Sequence, residues 1–298
     1  MKIGIDLGGS HIGIGVIGEQ GKIIQKQEVD LLKEEGNNIE EFIQNYLEKN
    51  VQNILKQYTI EAIGIASPGT PKEGKITTLV NLGIQEFDIT GVLRKITNLP
   101  IQIRNDAKCA GLAEKQYGAL KSYEDAVFLC LGTGIGGSAF FQGKELIPKR
   151  NPGLEIGHMI IKKDGNLCKC GKKGCFETYC SMKSFKNQLI QILEVNKSIT
   201  AKELLEELNL RKKEEKVQEL LDNYTENLLV GLSNIIDIFE PQAICFGGSF
   251  VYFEKVLYEL LVEKYYAKRY VFNKESLPDL KLAKLGNDAG MIGATIFP

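Results

Sequence analysis

The sequence has almost no net charge, no long apolar run and no export signal. Lys and Arg number 37 against 38 Asp and Glu, so the net charge is −1. Nonspecific nucleic-acid and membrane-surface binders need a positive excess to bind phosphates, and this balance argues against both. The sequence contains no run of about 18 apolar residues, so no transmembrane helix is predicted. The N-terminus shows no signal-peptide cleavage site. We therefore expect a cytoplasmic protein that binds neither nucleic acid nor membrane.

Histidine is scarce and low-complexity linkers are absent, whereas glycine and cysteine are frequent. The 298 residues include 31 glycines and 7 cysteines but 2 histidines, with 43% hydrophobic and 25% charged residues. This composition is typical of a globular protein, and the length corresponds to about two domains. In a chain without an export signal, closely spaced cysteines are more often metal ligands than disulfides.

The two halves of the chain begin alike, with a strand, a glycine turn and a second strand. Helices and strands then alternate, which is typical of an α/β protein with two sheet domains and a cleft between them. The predicted strands are 2–7, 11–17, 62–66, 101–104, 126–131, a partner strand running through 141, and 243–246. The predicted helices are 39–58, 107–117, most of 181–239, and one that follows 248.

Three glycine-rich turns follow predicted strands. Glycine leaves the backbone accessible, so the N–H groups of such turns can bind phosphate oxygens. The turns are Asp6-Leu7-Gly8-Gly9-Ser10, Gly132-Thr133-Gly134-Ile135-Gly136-Gly137 and Gly247-Gly248-Ser249. A single glycine pair is usually only a tight turn, but three at strand ends favour phosphate binding. None matches the Walker-A pattern, and the hairpin predicted after the second turn argues against a dinucleotide-binding site. A helix after the third turn would direct its dipole at an anion.

One histidine and three cysteines lie close together, at His158, Cys168, Cys170 and Cys175. Thiolates and a neutral imidazole suit tetrahedral Zn²⁺, and four protein ligands leave no position for water, so we predict a structural zinc site. The alternative is a set of ordinary buried thiols. The remaining cysteines are predicted to be small core residues: Cys109, Cys130, Cys180 and Cys245.

Several acidic residues are candidates for acid–base chemistry. Asp106 lies where a strand passes into a helix, so it could cap the helix or act in catalysis. Glu155 lies three residues before His158, and Glu177 directly follows the cysteine loop. Carboxylates, an amide and an imidazole together would suit a ligand covered in hydroxyls. His11 alternates with apolar residues and is predicted to be structural.

The motifs together resemble the ROK family of repressors, uncharacterised reading frames and sugar kinases. Five motifs of that family are present here, in chain order. They are D-x-G-G-[ST] at Asp6–Ser10, N-D-A at Asn105–Ala107, L-G-T-G-x-G-G at Leu131–Gly137, E-x-G-H at Glu155–His158 and C-x-C-G-x-x-G-C-x-E at Cys168–Glu177. The segment Leu285–Thr295 is similar to the family's ending. The resemblance spans almost the whole chain. It implies an α/β, actin-like (ribonuclease H-like) two-lobed kinase fold with a deep interdomain cleft, and a homodimer. The implied lobes are 1–115, completed by 285–298, and 116–284 with the zinc loop.

The resemblance also implies a role for each motif residue. Asp106 would be the general base toward a sugar hydroxyl, and Asp6 would organise Mg²⁺ through water. The implied sugar-binding residues are Asn105, Asp106, Glu155, His158 and Glu177. The implied ATP- and phosphate-binding residues are Asp6, Gly8, Gly9, Ser10, Gly132, Thr133, Gly134, Gly136, Gly247 and Gly248. The implied ligands of structural Zn²⁺ are His158, Cys168, Cys170 and Cys175.

Some positions depart from the family pattern. Ser10 replaces the commoner threonine, Lys108 stands where asparagine is frequent, and Ile84 replaces the tryptophan of an N-L-x-W segment. Because that segment helps to shape the sugar side, the choice of sugar stays open. An ATP-dependent glucokinase acting on the 6-hydroxyl is the first expectation, and N-acetylmannosamine, N-acetylglucosamine, fructose and β-glucoside kinases are alternatives. A sugar-responsive regulator is disfavoured because no DNA-binding helix-turn-helix precedes Asp6, and a zinc hydrolase because four ligands fill the metal.

Overall fold

A computed structural model describes residues 1–9, 11–31, 38–68, 71, 74–79, 82–149, 154–267 and 277–297. Its strands are β1 (Lys2–Leu7), β2 (His11–Ile17), β3 (Ile23–Asp30), β4 (Ala62–Ser67), β5 (Ile76–Leu79), β6 (Ile84–Phe87), β7 (Ile101–Asn105), β8 (Ala126–Leu131), β9 (Ile135–Phe141), β10 (Lys144–Glu145), β11 (Ala243–Gly247) and β12 (Asp279–Leu282). Its α-helices are α1 (Ile39–Gln57), α2 (Ile89–Arg94), α3 (Asp106–Tyr117), α4 (Glu177–Cys180), α5 (Met182–Leu193), α6 (Ala201–Arg211), α7 (Glu215–Phe239), α8 (Glu259–Ala267) and α9 (Ala289–Ala294). The chain divides into two compact units.

Unit 1 consists of Met1–Lys121, Ile147–Gly153 and Asn287–Pro298. Its main sheet has the strand order β3-β2-β1-β4-β7, and β5 pairs with β6 separately. Strands β1, β2 and β3 form an antiparallel meander, whereas β4 and β7 continue the sheet parallel to β1. The carboxyl ends of these parallel strands therefore lie on one edge of the sheet, where β1, β4 and β7 deliver their last residues.

Helix α1 packs on this sheet through one face. Its side chains at Ile43, Leu47, Val51 and Ile54 recur every three or four residues and are buried in the same core as the strands. This is the spacing of a helix with one apolar face, and each such buried side chain contributes about 1.5–3 kcal/mol. The Asn38 side chain accepts a hydrogen bond from the backbone of the first turn and so caps the helix. The predicted helix over 39–58 is confirmed.

Helix α9 packs against β1, β4 and α3 at very short range. A Cβ atom on Gly64 would lie 1.8 Å from the carbonyl oxygen of Ala294, and one on Gly293 would lie 1.7 Å from that of Cys109. Both distances are far inside van der Waals contact, so only glycine fits at these two positions. The glycine-rich segment near residue 290 is therefore an integral part of the core of unit 1.

Unit 2 consists of Ser122–Leu146 and Leu154–Gly286. Its sheet has the order β10-β9-β8-β11-β12, with an antiparallel meander of three strands continued by two parallel strands. Helices α5 and α7 share a large apolar core with this sheet, in which the rings of Phe185 and Tyr224 meet edge to face at 5.0 Å. Strand order and strand direction are thus the same as in unit 1.

Most strands and helices that the sequence predicts are present, with one clear difference. After Gly247 the chain does not enter an α-helix directly: Gly248–Phe253 is a 3₁₀ helix and Glu254–Tyr258 a π-helix, and only then does α8 begin. The prediction of a helix directly after the third glycine turn is therefore wrong for its first residues, because the α-helix begins only at Glu259. Of the helices in the described ranges, none combines the length and apolar character that crossing a membrane requires.

Candidate active site and metal centre

In unit 1, Asp6 lies at the end of β1 in a strongly acidic environment. Burial, together with the negative charge of Asp106, raises the pKa of the Asp6 carboxyl to about 7. The carboxylates of Glu28 and Asp288 raise it further, and Lys26 opposes them. Asp6 and Asp106 are therefore close enough within unit 1 for the charge of one to affect the other.

Asp106 is the first residue of α3, and another residue caps this helix. The Asn105 side chain accepts a hydrogen bond of 3.2 Å from the Lys108 backbone N–H, so Asn105 is the helix cap. The Asp106 carboxylate accepts from the N–H of the adjacent Ala107 at 2.7 Å. Burial raises the pKa of Asp106 although backbone N–H groups of Ala107 and Asp106 act to lower it. Its carboxyl is thus free of the capping role and more basic than an ordinary aspartate.

A lysine bridges two acids beside this pair, a feature that the sequence analysis missed. The Lys26 ammonium on β3 contacts Glu28 at 2.6 Å and Asp288 at 2.5 Å. Lys26 and Asp288 are far apart in the sequence, so no local pattern relates them. The sequence offered one indication that an acidic residue matters here: Asp288 lies in the segment Leu285–Thr295, which resembles the family's ending.

The first glycine turn follows Asp6 directly. Gly8 donates its N–H to the carbonyl of His11 at 2.9 Å, and a Cβ atom at Gly8 would lie 2.8 Å from the His11 ring. A side chain at this position would therefore require the exposed His11 ring to move. Gly9 is partly exposed beside it, and the predicted phosphate ligand Ser10 lies outside the described residues. His11 contributes its carbonyl and its ring to this turn, in agreement with a structural role.

In unit 2, the second glycine turn joins β8 to β9 and reaches an acidic side chain. Gly132 donates its N–H to the Gly134 carbonyl at 3.0 Å, and Thr133 at the tip is exposed. A Cβ atom on Gly134 would lie 2.6 Å from the Glu177 carboxylate, so the turn and this acid are in direct contact. Gly136 pairs with Cys130 across the hairpin. The predicted hairpin is confirmed.

The third glycine turn ends β11. Gly247 is buried against the Phe128 ring, whereas Gly248 is exposed and adopts a left-handed backbone with φ of 70°. Because a 3₁₀ helix follows, the turn does not have the α-helix N-terminus whose dipole was expected to favour anions. Any anion at Gly248 would therefore depend on nearby N–H groups and on positive side chains.

The four predicted metal ligands converge in unit 2. Their ligand atoms all lie within 4.8 Å of one another in the set His158, Cys168, Cys170 and Cys175. The Cys170 and Cys175 sulfurs are 3.6 Å apart, and Cys168 Sγ lies 3.6 Å from His158 Nδ1. A tetrahedral zinc ion with bonds of about 2.0–2.3 Å requires ligand separations of about 3.3–3.8 Å. The residues present therefore fit zinc, and none of the three cysteines of the set forms a disulfide that would compete with it.

The two predicted sugar-binding glutamates flank the His158 ring. Glu177 approaches Nδ1 at 3.7 Å and Cys168 Sγ at 3.1 Å, while Glu155 lies 3.8 Å from Nε2. Because Nδ1 is the ring nitrogen beside Cys168, Nε2 is the one left to face Glu155, and a carboxylate at that nitrogen can orient a metal-bound imidazole. Glu177, at the start of α4, therefore connects the cysteine loop to the glycine turn at Gly134. Of the other four cysteines, Cys130 is only partly buried, and the remainder are buried as expected.

The fold is shared with solved kinases. The crystal structure of a ROK hexokinase from Thermus thermophilus superposes with a TM-score of 0.78 at 27% sequence identity, covering 98% of this chain and 96% of that one. The protein is therefore an α/β protein with the actin-like kinase fold, as the sequence predicts.

Sequence comparisons define the family. The model of the ROK family matches residues 2–297, and the chain belongs to that family. A glucokinase from Thermotoga maritima is 29% identical over 98% of this chain and 95% of its own length. An N-acetylmannosamine kinase from Haemophilus influenzae is also 29% identical, over 99% of this chain and 94% of its own length. The family and these relatives identify the chain as a sugar kinase.

Proposed function

We propose that this sugar kinase transfers the γ-phosphoryl group of ATP to a hexose hydroxyl, with glucose and its 6-hydroxyl as the first candidate. The observation that carries the proposal is Asp106: it stands in the family's N-D-A motif, Asn105 relieves it of the capping role, and burial raises its pKa. A recessed carboxylate of raised basicity suits proton abstraction from an alcohol near neutral pH.

In the proposed reaction, Asp106 takes the proton of the sugar hydroxyl as that oxygen attacks the γ-phosphorus. A bond forms between the sugar oxygen and phosphorus, the bond from phosphorus to the β–γ bridging oxygen breaks, and ADP leaves. A general base of this kind contributes about 10²–10⁴-fold to the rate. Positioning and electrostatic stabilisation of the transferring group supply most of the remainder.

The remaining assignments follow the motifs. Asn105, Glu155, His158 and Glu177 would bind sugar hydroxyls with Asp106. The zinc ion would be held by His158 through Nδ1 and by the three thiolates, and its contribution would be to fix the ring so that Nε2 remains available. Mg²⁺ accompanying ATP would neutralise phosphate charge, and Asp6 is the residue expected to orient its water. Phosphates would bind at the glycine turns.

Glucose and N-acetylmannosamine are the two substrates that the relatives favour. The glucokinase and the N-acetylmannosamine kinase are equally similar to this chain, so overall identity does not separate the two. Ile84, buried on β6, replaces the aromatic residue of the N-L-x-W segment. N-acetylglucosamine, fructose and β-glucosides complete the set of candidate substrates.

A sugar panel tests the proposal. ADP release from ATP is coupled to a fluorescent readout with each of the five candidate sugars in turn, and zinc content is measured on the same sample. We expect one or two sugars to give a kcat/KM at least tenfold above the others, with glucose first. Release of inorganic phosphate instead of a sugar phosphate, or no turnover with any sugar, would contradict the proposed function.

A further inference from the structure

Lys186 on α5 is a positively charged side chain that none of the family motifs includes. It is partly buried in unit 2, and no carboxylate within the described ranges forms an ion pair with it. Burial alone lowers the pKa of its ammonium. A lysine usually enters such a position with an acidic partner or with its ammonium extended to water. Lys186 has neither a carboxylate nor full exposure.

The surroundings of the Lys186 ammonium belong to the third glycine turn. Its Nζ lies 3.4 Å from the Ser249 hydroxyl, immediately after the exposed Gly248. The same ammonium lies 5.7 Å from the centroid of the Phe253 ring, which favours a positive charge there. An ammonium has three N–H donors, and the single contact with Ser249 uses one of them.

Helix α5 also contacts the second glycine turn. The backbone N–H of Lys183, one turn before Lys186, donates to the Gly132 carbonyl at 3.1 Å. Helix α5 therefore contacts both the second and the third glycine turn, the two turns of unit 2 that the motifs assign to nucleotide binding. A cation with donors to spare, at this position on the helix, is suited to an anionic group that contacts both turns.

We propose that the Lys186 ammonium binds a phosphate group of the nucleoside polyphosphate that donates the phosphoryl group. This inference rests on the proposed kinase function and adds a donor-binding residue to it. The positive side chain replaces the α-helix dipole that the third turn does not have, because that turn continues into a 3₁₀ helix. A purely structural role is the competing explanation, in which Lys186 only holds Ser249 and Phe253 in place.

The test measures nucleotide affinity directly by calorimetry, with MgATP, MgADP, AMP and adenosine as probes. Lys186→Met is compared with Lys186→Arg and with the control Lys202→Met, which removes an exposed lysine on α6. We expect Lys186→Met to weaken MgATP and MgADP binding about tenfold, to raise the KM for ATP by a similar factor, and to leave adenosine affinity and the KM for sugar unchanged. Lys186→Arg should restore most of the loss, and Lys202→Met should match the wild type.

Two results would overturn the inference. One is unchanged MgATP and MgADP affinity in Lys186→Met, and the other is an equal loss for adenosine, which would indicate damage to the turn. Lys186→Gln provides a second variant if the methionine protein melts at a much lower temperature. Because binding is measured without turnover, failure of the kinase proposal is distinguishable: a wild type that binds MgADP but phosphorylates no sugar contradicts only the proposed function.

Discussion

In unit 1 the strand before the first glycine turn ends in Asp6-Leu7, and in unit 2 the equivalent strand ends in Cys130-Leu131. The equivalence is fixed by pairing, since Asp6 pairs with Gly13 across its hairpin and Cys130 with Gly136 across the other. The two sheets share strand order and direction. The same topology therefore delivers a carboxyl at one strand end and a thiol at the other.

The difference extends to the neighbouring strands. In unit 1, β7 ends next to Asp106, and the pKa values of Asp6 and Asp106 are both raised by burial. In unit 2, β11 ends at Gly247, and the charged group beside the following turn is Lys186. Strand topology decides where side chains gather, but residue identity decides which groups stand there, two carboxyls in unit 1 and an ammonium in unit 2. The comparison predicts that removing the carboxylate of Asp106 in unit 1 lowers the rate of transfer, whereas removing the ammonium of Lys186 or a cysteine of the metal cluster in unit 2 lowers ligand affinity.

The largest expected effect is the loss of phosphoryl transfer in Asp106→Asn. The amide keeps the shape of the carboxyl but cannot accept the proton of the sugar hydroxyl, so kcat should fall by about 10²–10⁴-fold. Sugar affinity, measured by calorimetry, should stay within a few-fold of the wild type. Asp237→Asn, at an exposed position on α7, is the matched control. Near-normal turnover of Asp106→Asn would show that the base is another group.

The second effect tests the binding role of unit 2. Cys175→Ser removes one of the four converging ligands and should lower zinc content, melting temperature and sugar affinity together, the last by about 10–100-fold. The reason is that the metal orients His158 and, through it, the neighbouring glutamates. Cys245→Ala, which removes a buried thiol outside the cluster, should lower the melting temperature but spare zinc content and sugar affinity. Normal sugar affinity in zinc-free Cys175→Ser would contradict the link.

The smallest effect is a pH dependence of stability that originates at Asp6. Its pKa is raised from 3.8 to about 7, so the folded chain holds this proton more tightly than the unfolded chain does. The resulting stabilisation is complete below about pH 4 and is lost as pH rises through 7. Asp6→Asn lacks this loss, so its free energy of unfolding relative to the wild type should increase between these limits by up to about 4 kcal/mol.

Urea unfolding at pH 4.5, 6 and 8, without nucleotide or Mg²⁺, measures the difference for Asp6→Asn. Asp237→Asn again serves as the control and should show a constant difference from the wild type. A relative stability of Asp6→Asn that stays flat or falls with pH would mean that the Asp6 carboxyl is ionised at low pH in the folded chain.

Local patterns predicted the parts of the fold in which local sequence dominates. The apolar spacing of α1 and the strand–glycine–strand order of both hairpins are explicit in the sequence, and both are confirmed. Helix α9 was not predicted, because its two interior glycines, Gly290 and Gly293, disfavour a helix and only tertiary packing overrides that preference. The prediction of an α-helix directly after Gly248 was wrong, because the chain first forms a 3₁₀ helix and then a π-helix.

The site was predictable to the extent that its residues stand in motifs. Asp6, Asp106 and the cysteine cluster lie within short patterns, and the structure brings the members of each set together within their own unit. Lys26 and Lys186 are in no motif, since their partners are distant in the sequence. Their positions depend on strand pairing and helix packing, which single-sequence patterns do not specify.

The position of α9 has a consequence for synthesis on the ribosome. Its residues, Ala289–Ala294, come after the whole of unit 2 in the sequence, yet they contact β1 and β4, which come before unit 2. Gly4 and Gly64 lie so close to the backbone of α9 that there is no room for a side chain at either position. The sheet bearing Asp6 therefore keeps an unfilled face until residues 289–294 have been synthesised, which is after the last residue of unit 2. The acidic edge at Asp6 is thus one of the parts of the molecule that complete their packing late.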